Sequence, residues 1–222
     1  MLQRRILSVL LAAVVLAACG ASERADGSTS NPSAAPAALV DPDPTALSAA
    51  APDSFTLVFA TSKGEVEVRV RRAWSPLGVD RLHYLSTHEF FDGARFFRVV
   101  PGFVVQFGLS GRPEVDKAFS SLNLDDDPVK VSNRRGTIVF ATSGPNTRTT
   151  QLFINLADNP FLDEDGFSPM GEVVRGMDVV EAIHSEYLEQ SNVQGRIERE
   201  GNEFFRRRFP ALDSITRVTI SP

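Results

Sequence analysis

The sequence is short of the residues that most enzymes use for nucleophilic or metal chemistry. Its 222 residues include one cysteine and three histidines. His83 and His88 are five apart, whereas two metal ligands on one helix face need a spacing of four, so a surface or capping role is favoured. No Gly-x-Ser-x-Gly, Walker or dinucleotide-binding motif occurs. We therefore expect neither a metal nor another cofactor.

A partial calcium-loop pattern occurs in FLDEDGFSPMGE, residues 161–172. Asp163, Asp165, Gly166 and Glu172 occupy four positions of the pattern, but the first ligand position holds Phe161. A loop that lacks its first carboxylate would bind calcium weakly at best. We interpret this stretch as a turn of the folded domain.

The N-terminus has the features of a bacterial secretion signal. MLQRR is basic, and the apolar run ILSVLLAAVVLAA after it is too short to span a bilayer comfortably. The run leads into Leu16-Ala17-Ala18-Cys19, which is similar to the lipobox of bacterial lipoproteins. We expect a signal peptide over 1–18, lipid attachment at Cys19 and a membrane-anchored protein of the bacterial cell envelope, outside the cytoplasm. The alternative is an ordinary signal peptide in which Cys19 is incidental.

The charge balance argues against nucleic acid as a partner. The chain has 28 acidic and 23 basic residues, a net charge of −5, and removal of residues 1–18 takes away Arg4 and Arg5 to give −7. Such an acidic protein is a poor ligand for a polyanion. Because Cys19 is the only cysteine, the domain has no disulfide and no cysteine catalysis.

Composition divides the remaining chain into a linker and a domain. Residues 20–53 are rich in alanine, serine, proline and aspartate, and no apolar period persists there. We expect lipidated Cys19 and this stretch to form a disordered tether over 19–53, with the domain at 54–222. A short helix through 45–51 stays open, although it would lack an apolar face.

The domain reads as many short strands and few helices. Val66, Val68 and Val70 alternate with charged residues, which is typical of a half-buried strand. The pattern predicts a mainly antiparallel β-barrel with two helices packed outside, at 76–87 and 177–188. The run 206–208, all arginine, fits the solvated face of a further short helix, and a functional basic patch is the alternative. Strands are predicted at 55–61, 65–70, 95–100, 103–107, 129–131, 136–142, 151–156, 170–176 and 215–220.

Three stretches in order resemble the cyclophilins, the peptidyl-prolyl cis/trans isomerases. They are FFRVVPGFVVQFG (96–108), GTIVFATSGPNTRTTQLFINL (136–156) and NPFLDEDGFSPMGEVVRGMDVV (159–180). The resemblance implies a closed, eight-stranded antiparallel barrel with two flanking helices. It also implies an enzyme that accelerates rotation about X-Pro bonds in proline-containing polypeptides, here unfolded or exported proteins.

The resemblance also implies roles for individual residues. Arg98 would donate to the twisted imide nitrogen and act with Phe103 and Gln106, the latter binding the substrate backbone. The substrate groove would be completed by apolar and polar residues from four stretches: Val104, Ala141, Thr142, Gln151, Phe153, Phe161, Leu162 and Phe167. Since plain alternation would put Arg98 and Gln106 on opposite faces, we expect a bulge between Phe103 and Gln106.

The chain departs from the family pattern at four groove positions. Val104 replaces a methionine, Thr142 an asparagine and Phe161 a tryptophan, while Phe167 stands where the family has a histidine. Phenylalanine cannot replace the indole N–H donor, so weak cyclosporin binding is expected. Two non-catalytic alternatives stay open, a peptide-binding module or chaperone on the same fold and a lipid-anchored structural protein.

Overall fold

The computed structural model describes residues 36–221, so the predicted signal peptide and Cys19 lie outside the described residues. Eight strands form one sheet in the order β3-β4-β6-β5-β7-β2-β1-β8, and every neighbouring pair is antiparallel. The strands are β1 (Ser54–Thr61), β2 (Gly64–Arg71), β3 (Arg98–Val100), β4 (Val104–Phe107), β5 (Thr137–Phe140), β6 (Leu152–Asn155), β7 (Pro169–Arg175) and β8 (Ile215–Ser221).

The sheet curls so that its two edge strands approach each other at one end. Backbone bonds join the segments that precede β3 and β8: Gly93 N–H donates to Ile215 at 2.8 Å, and Ile215 N–H donates to Ala94 at 2.9 Å. A third bond runs from Phe96 N–H to the Asp213 carbonyl at 3.1 Å. Within the described chain, no ladder links β3 to β8 along their lengths. The predicted mainly β, eight-stranded antiparallel architecture is confirmed as a curled sheet, whose edges meet at these bonds and at an isolated antiparallel bridge between Arg95 and Ser214.

Seven helices accompany the sheet in the described chain: α1 (Ala37–Val40), α2 (Pro44–Leu47), α3 (Pro76–Thr87), α4 (Pro113–Phe119), α5 (Phe161–Glu164), α6 (Met177–Glu181) and α7 (Gln194–Arg208). The predicted helix at 76–87 is confirmed as α3, with Val79, Leu82 and Leu85 fully buried. Within residues 36–221, none of these helices combines the length and apolar character needed to cross a bilayer.

The sheet core is largely aromatic. Phe107 receives the rings of Phe59, Phe91 and Phe96 edge to face, with centroids 5.8, 6.0 and 5.4 Å away. Such edge-to-face pairs add to the free energy of simple area burial. The core therefore fixes β4, the strand that carries Gln106, firmly against the rest of the sheet.

The predicted strand at 129–131 is wrong, because these residues have no ladder partner. They follow Asp127, whose buried carboxylate accepts hydrogen bonds from the Ser75 hydroxyl at 2.7 Å and from Gly78 N–H at 2.9 Å. The Arg148 guanidinium also donates to it, at 3.2 Å. This segment is thus anchored by side chains to the start of α3 and not by backbone pairing.

The predicted helix over 177–188 is also wrong in its extent, since α6 ends at Glu181. Beyond it Tyr187 packs on Phe209, with ring centroids 5.1 Å apart, as part of a second apolar cluster around α7. Phe204 and Phe205 of α7 are buried there, and the arginines 206–208 follow them at the predicted short helix. We use the name α6–α7 loop for residues 182–193.

Residues 36–53 are packed against the domain, which corrects the predicted tether for this part of it. Leu39 is fully buried in the main core, and the Tyr84 hydroxyl donates to the Ala38 carbonyl at 2.7 Å. Ala51 N–H donates to the Asp80 carboxylate at 2.8 Å, and Arg72 pairs with the same carboxylate. A composition rich in alanine and proline concealed these few anchoring contacts.

Candidate active site

The β3–β4 hairpin turns through Pro101, Gly102 and Phe103. Phe103 N–H donates to the Val100 carbonyl at 3.0 Å, which closes a four-residue β-turn. Gly102, the third residue of this turn, has φ 72°, the positive value that a type II turn requires there. The strands pair Val100 with Val104 and Arg98 with Gln106. The extra residue therefore lies in the turn, and β4 is regular from Val104. The predicted bulge between Phe103 and Gln106 is therefore wrong in position. Arg98 and Gln106 nevertheless lie on the same face of the sheet, which is the arrangement that the bulge was expected to produce.

Strand register places four side chains in one row across the sheet. Arg98 on β3 lies opposite Gln106 on β4, Gln106 lies opposite Phe153 on β6, and Phe153 lies opposite Val139 on β5. Directly opposed residues in a sheet project on the same face. A cation, an amide and two apolar groups thus meet on one surface without help from any loop.

The Arg98 guanidinium is held on several sides. Its Nη1–H donates to Gln106 Oε1 at 3.4 Å and its Nε–H donates to Glu189 Oε1 at 2.8 Å, while Nη2 lies 2.7 Å from the same carboxylate oxygen as part of the ion pair. Its carbon centre lies 5.8 Å from the Phe103 ring centroid, within reach of a cation–π contact. Only 20% of the side chain is exposed. The guanidinium is therefore oriented before any substrate arrives.

An apolar cavity of about 150 Å³ opens beside Arg98. Its buried lining residues Val104, Phe153 and Leu162 form one apolar cluster with Val139, and Phe103, Ala141 and Phe167 pack around that cluster. Phe167 meets Phe153 edge to face at 5.6 Å. The size and the aromatic walls suit a small apolar ring such as that of proline.

A smaller polar cavity of about 90 Å³ adjoins the apolar one and shares Gln106, Ala141 and Thr142 with it. The Thr142 hydroxyl is bonded to the Gly144 carbonyl and lies 2.8 Å from the Thr147 hydroxyl. The other residues that line the polar cavity have hydroxyl or amide side chains: Ser143, Thr147, Thr149, Gln151 and Gln194. The two cavities form a continuous groove, one half apolar and the other polar.

The structure brings the predicted site residues together. Nine of the eleven line the apolar cavity: Arg98, Phe103, Val104, Gln106, Ala141, Thr142, Phe153, Leu162 and Phe167. Gln151 lies in the polar cavity and accepts a hydrogen bond from Gln106 at 2.9 Å. Phe161 stands at the rim, 54% exposed, and stacks on Phe103 with centroids 5.9 Å apart.

Sequence reasoning missed Glu189 and Gln194. Glu189 pairs with Arg98 from the α6–α7 loop, and Gln194 Oε1 accepts from Gln151 Nε2 at 3.0 Å. Their stretch, LEQSNVQG, has no motif and no regular period that would single them out. Only the folded path of the loop brings them to the groove.

In the stretch with the partial calcium-loop pattern, residues 161–172, the Asp163 carboxylate binds other protein groups. Asp163 accepts from the Ser132 hydroxyl at 2.5 Å and from Asn133 N–H at 2.8 Å. Burial alone would raise the pKa of Asp163, but these hydrogen bonds outweigh it and lower the pKa. The stretch holds α5, and with it Leu162, against the groove, which agrees with its interpretation as a turn.

The groove offers a charged donor beside an apolar cavity. Among the nine residues that line the apolar cavity the only ionisable side chain is Arg98, so none of them offers a general base for proton transfer at neutral pH. Such a site suits a reaction in which a bond rotates, since no proton or leaving group then has to be moved.

Comparison with known proteins gives one consistent result. The family model described as cyclophilin type peptidyl-prolyl cis-trans isomerase/CLD matches residues 56–201. A peptidyl-prolyl cis-trans isomerase of Acinetobacter baylyi is 33% identical over 128 residues, 55% of this chain and 68% of the relative. Peptidyl-prolyl cis-trans isomerase A of Dickeya dadantii is 35% identical, covering 60% and 73%. Peptidyl-prolyl cis-trans isomerase B of Escherichia coli is 32% identical, covering 57% and 82%.

The fold has solved counterparts as well. A crystal structure of a cyclophilin type peptidyl-prolyl cis-trans isomerase from Cryptosporidium parvum superposes with a TM-score of 0.58 at 19% identity. The match covers 76% of this chain and 98% of that one. At this identity the likeness concerns the fold alone.

Proposed function

The chain belongs to the cyclophilin-type peptidyl-prolyl cis-trans isomerases, and we propose that Arg98 is the residue through which it accelerates X-Pro rotation. The single observation that carries this assignment is the Arg98 guanidinium, held beside a cavity of proline size. Phe103, Val104, Phe153 and Leu162 hold the proline ring, and Gln106 binds the substrate backbone. Ala141, Thr142 and Gln151 bind the residues before proline, with Phe161 and Phe167 at the margins.

The chemistry follows from the electronic structure of the amide. Rotation about a peptide bond meets a barrier of about 18–20 kcal/mol, because the planar form has resonance that the twisted form loses. In the twisted state the imide nitrogen regains a lone pair. A donor aimed at that nitrogen stabilises the twisted state and has little to bind in the planar substrate, which is the condition for catalysis.

The size of the effect can be bounded. A hydrogen bond from a charged donor contributes roughly 1.5–3 kcal/mol, and about 1.4 kcal/mol corresponds to a tenfold change in rate. Arg98 therefore accounts for one to two powers of ten. The rest comes from the apolar walls, which shield the proline from water, and from fixed amides such as Gln106.

The test is an NMR exchange measurement on an X-Pro peptide, without a coupled protease, that compares the full chain with Arg98→Ala. We expect the variant to keep its fold and to lose about 10- to 100-fold in kcat/KM. Arg95→Ala is the matched control, since Arg95 donates to the Leu212 carbonyl and does not line the groove. Equal activity of wild type and Arg98→Ala would refute the role of Arg98. Peptide binding without acceleration by the wild type would favour the non-catalytic binding module.

We further propose that Cys19 carries a lipid that anchors the protein in the bacterial envelope, where its clients are exported polypeptides. The support is Leu16-Ala17-Ala18-Cys19 after a basic and apolar start. Residue 36, the first that the structure describes, follows Cys19 by 17 residues. Fully extended, they reach at most about 60 Å. The domain would therefore work close to the membrane surface.

The anchor is tested by fractionating cells that express the full chain or Cys19→Ser. The wild type should sediment with membranes and dissolve only in detergent, whereas Cys19→Ser should not incorporate labelled palmitate. Ser54→Ala serves as the control for handling. Release of the wild type from membranes by salt alone, or equal labelling of both chains, would contradict the anchor.

A further inference from the structure

The α6–α7 loop carries a carboxylate to the guanidinium of the active site. Glu189 Oε1 accepts from Arg98 Nε–H at 2.8 Å and lies 2.7 Å from Arg98 Nη2 in the same ion pair. The two residues are 91 positions apart in the sequence. We propose that Glu189 is a positioning residue, which orients Arg98 for the twisted imide. This inference rests on the role of Arg98 proposed above.

The loop is built to hold Glu189 in place. Next to it Ser191 is buried, and its hydroxyl donates to the Phe97 carbonyl at 2.5 Å, which pins the loop to the open edge of the sheet just before β3. On the other side Leu188 has φ 47°. This left-handed conformation is costly for a residue with a branched side chain. The backbone thus accepts strain at the residue that leads into Glu189.

A chain of amides reaches Arg98 from its opposite side. Arg98 donates to Gln106, Gln106 Nε2 donates to Gln151 Oε1 at 2.9 Å, and Gln151 Nε2 donates to Gln194 Oε1 at 3.0 Å. Gln194 Nε2 in turn donates to Asn192 Oδ1 at 3.1 Å. The chain of contacts thus begins at Glu189, passes through Arg98 and the glutamines, and ends at Asn192. Both of its ends lie within residues 189–194. That stretch frames the groove from Arg98 to the polar cavity.

The pattern of donors leaves Arg98 free for catalysis. A guanidinium has five N–H groups. Glu189 accepts from one of them, on Nε, and Gln106 accepts from one on Nη1. Three N–H groups, one on Nη1 and two on Nη2, remain for a substrate. Because rotation of the long side chain is already restricted, less conformational entropy is lost when the transition state forms.

The experiment uses the full chain and four variants: Glu189→Gln, Glu186→Gln, Arg98→Ala and the double variant Arg98→Ala/Glu189→Gln. Glu186 is the matched control, an exposed glutamate of the same loop for which the described contacts include no partner. Exchange spectroscopy on an X-Pro peptide gives kcat and KM. The ¹⁵N–¹H signal of Arg98 Nε reports whether the pairing is present.

We expect Glu189→Gln to lower kcat about two- to fivefold with KM unchanged, a modest effect because the Glu189 side chain is 63% exposed and water weakens the pair. Its Arg98 Nε–H should exchange faster with solvent, while Glu186→Gln should match the wild type in both respects. In the Arg98→Ala background the Glu189 substitution should have no further effect, because it acts through Arg98.

Three results would overturn the inference. A wild-type kcat in Glu189→Gln would show that the pairing is not used, provided that Arg98→Ala is impaired. A higher kcat would mean that Glu189 competes with substrate and obstructs the site. An Arg98→Ala variant as active as the wild type would remove the proposed function itself and this inference with it.

Discussion

Asp116 on α4 is a buried carboxylate that the mechanism does not use. It accepts from Ser110 N–H at 2.7 Å and from Gly111 N–H at 3.2 Å, and it is 5% exposed. Burial raises its pKa to about 6, although these hydrogen bonds oppose the shift. The folded state therefore binds this proton more tightly than the unfolded chain does. The stability it contributes is full below the unfolded pKa and is lost as the pH rises through about 6.

This sign gives a measurable difference between the wild type and Asp116→Asn. From pH 4 to pH 7 the variant should gain on the order of 2–3 kcal/mol in unfolding free energy relative to the wild type. Urea denaturation at both pH values measures the difference, and other titrating groups cancel in the comparison. A constant difference between the two proteins would show that Asp116 has an ordinary pKa in the fold.

Phe161 occupies the groove position at which a tryptophan is expected to contact cyclosporin, so its substitution should change the affinity for cyclosporin. Its ring stacks on Phe103 at the exposed rim and offers no donor. Phe161→Trp adds an indole N–H at the family's position for one, and a neutral hydrogen bond contributes about 0.5–1.5 kcal/mol. Cyclosporin should therefore bind the variant roughly 2- to 10-fold more tightly by calorimetry. Phe161→Tyr adds a donor at a different position on a ring of unchanged size, so it tests whether the placement of the indole N–H matters; equal affinities in all three proteins would contradict the expectation.

At the scale of elements, residues 36–53 were predicted to be a disordered tether but pack against the domain through Leu39. Leu39→Ala removes a fully buried side chain, which costs about 2–5 kcal/mol in a rigid core. We expect a loss near the lower end, about 2 kcal/mol, because α1 can detach locally. Val40→Ala is the matched control, since Val40 is 43% exposed. If Leu39→Ala leaves the urea midpoint unchanged, the segment is a free tether after all.

The elements that sequence patterns predicted best are those whose own residues decide their burial. The alternation of Val66, Val68 and Val70 and the three-residue spacing of Val79, Leu82 and Leu85 report directly on one buried face. The stretch 129–131 shows a similar alternation, yet it has no strand partner, and the neighbouring Asp127 is held by the start of α3. Periodicity carries no information about such distant anchors.

The residues of the candidate site also fall into two groups, those that the sequence identified and those that it did not. The residues brought together by strand register, such as Arg98, Gln106 and Phe153, lie in recognisable motifs, and the sequence identified them. Glu189 and Gln194 reach the groove only because the α6–α7 loop is pinned by Ser191 and packed under α7. A contact across 91 residues, in a stretch without a motif, cannot be read from a single chain.

At the scale of the whole molecule, the ionisable side chains are arranged so that catalysis should not depend on histidine. The His83 ring meets Phe55 edge to face at 5.1 Å, His88 bonds the Tyr84 carbonyl at 2.8 Å, and the His184 ring packs on Tyr187 at 4.8 Å. None of the three lines either half of the groove.

The rate of isomerisation should therefore be nearly independent of pH near neutrality. An arginine side chain keeps its charge throughout this range, and bond rotation needs no proton transfer. We expect kcat/KM for an X-Pro peptide to change by less than about twofold between pH 6 and pH 8. Exchange spectroscopy on the full chain measures it, with circular dichroism at each pH to confirm that the protein is folded. A bell-shaped profile, or a step centred near pH 6.5, would mean that a titrating group takes part in the reaction and that a donor and a cavity alone are not sufficient.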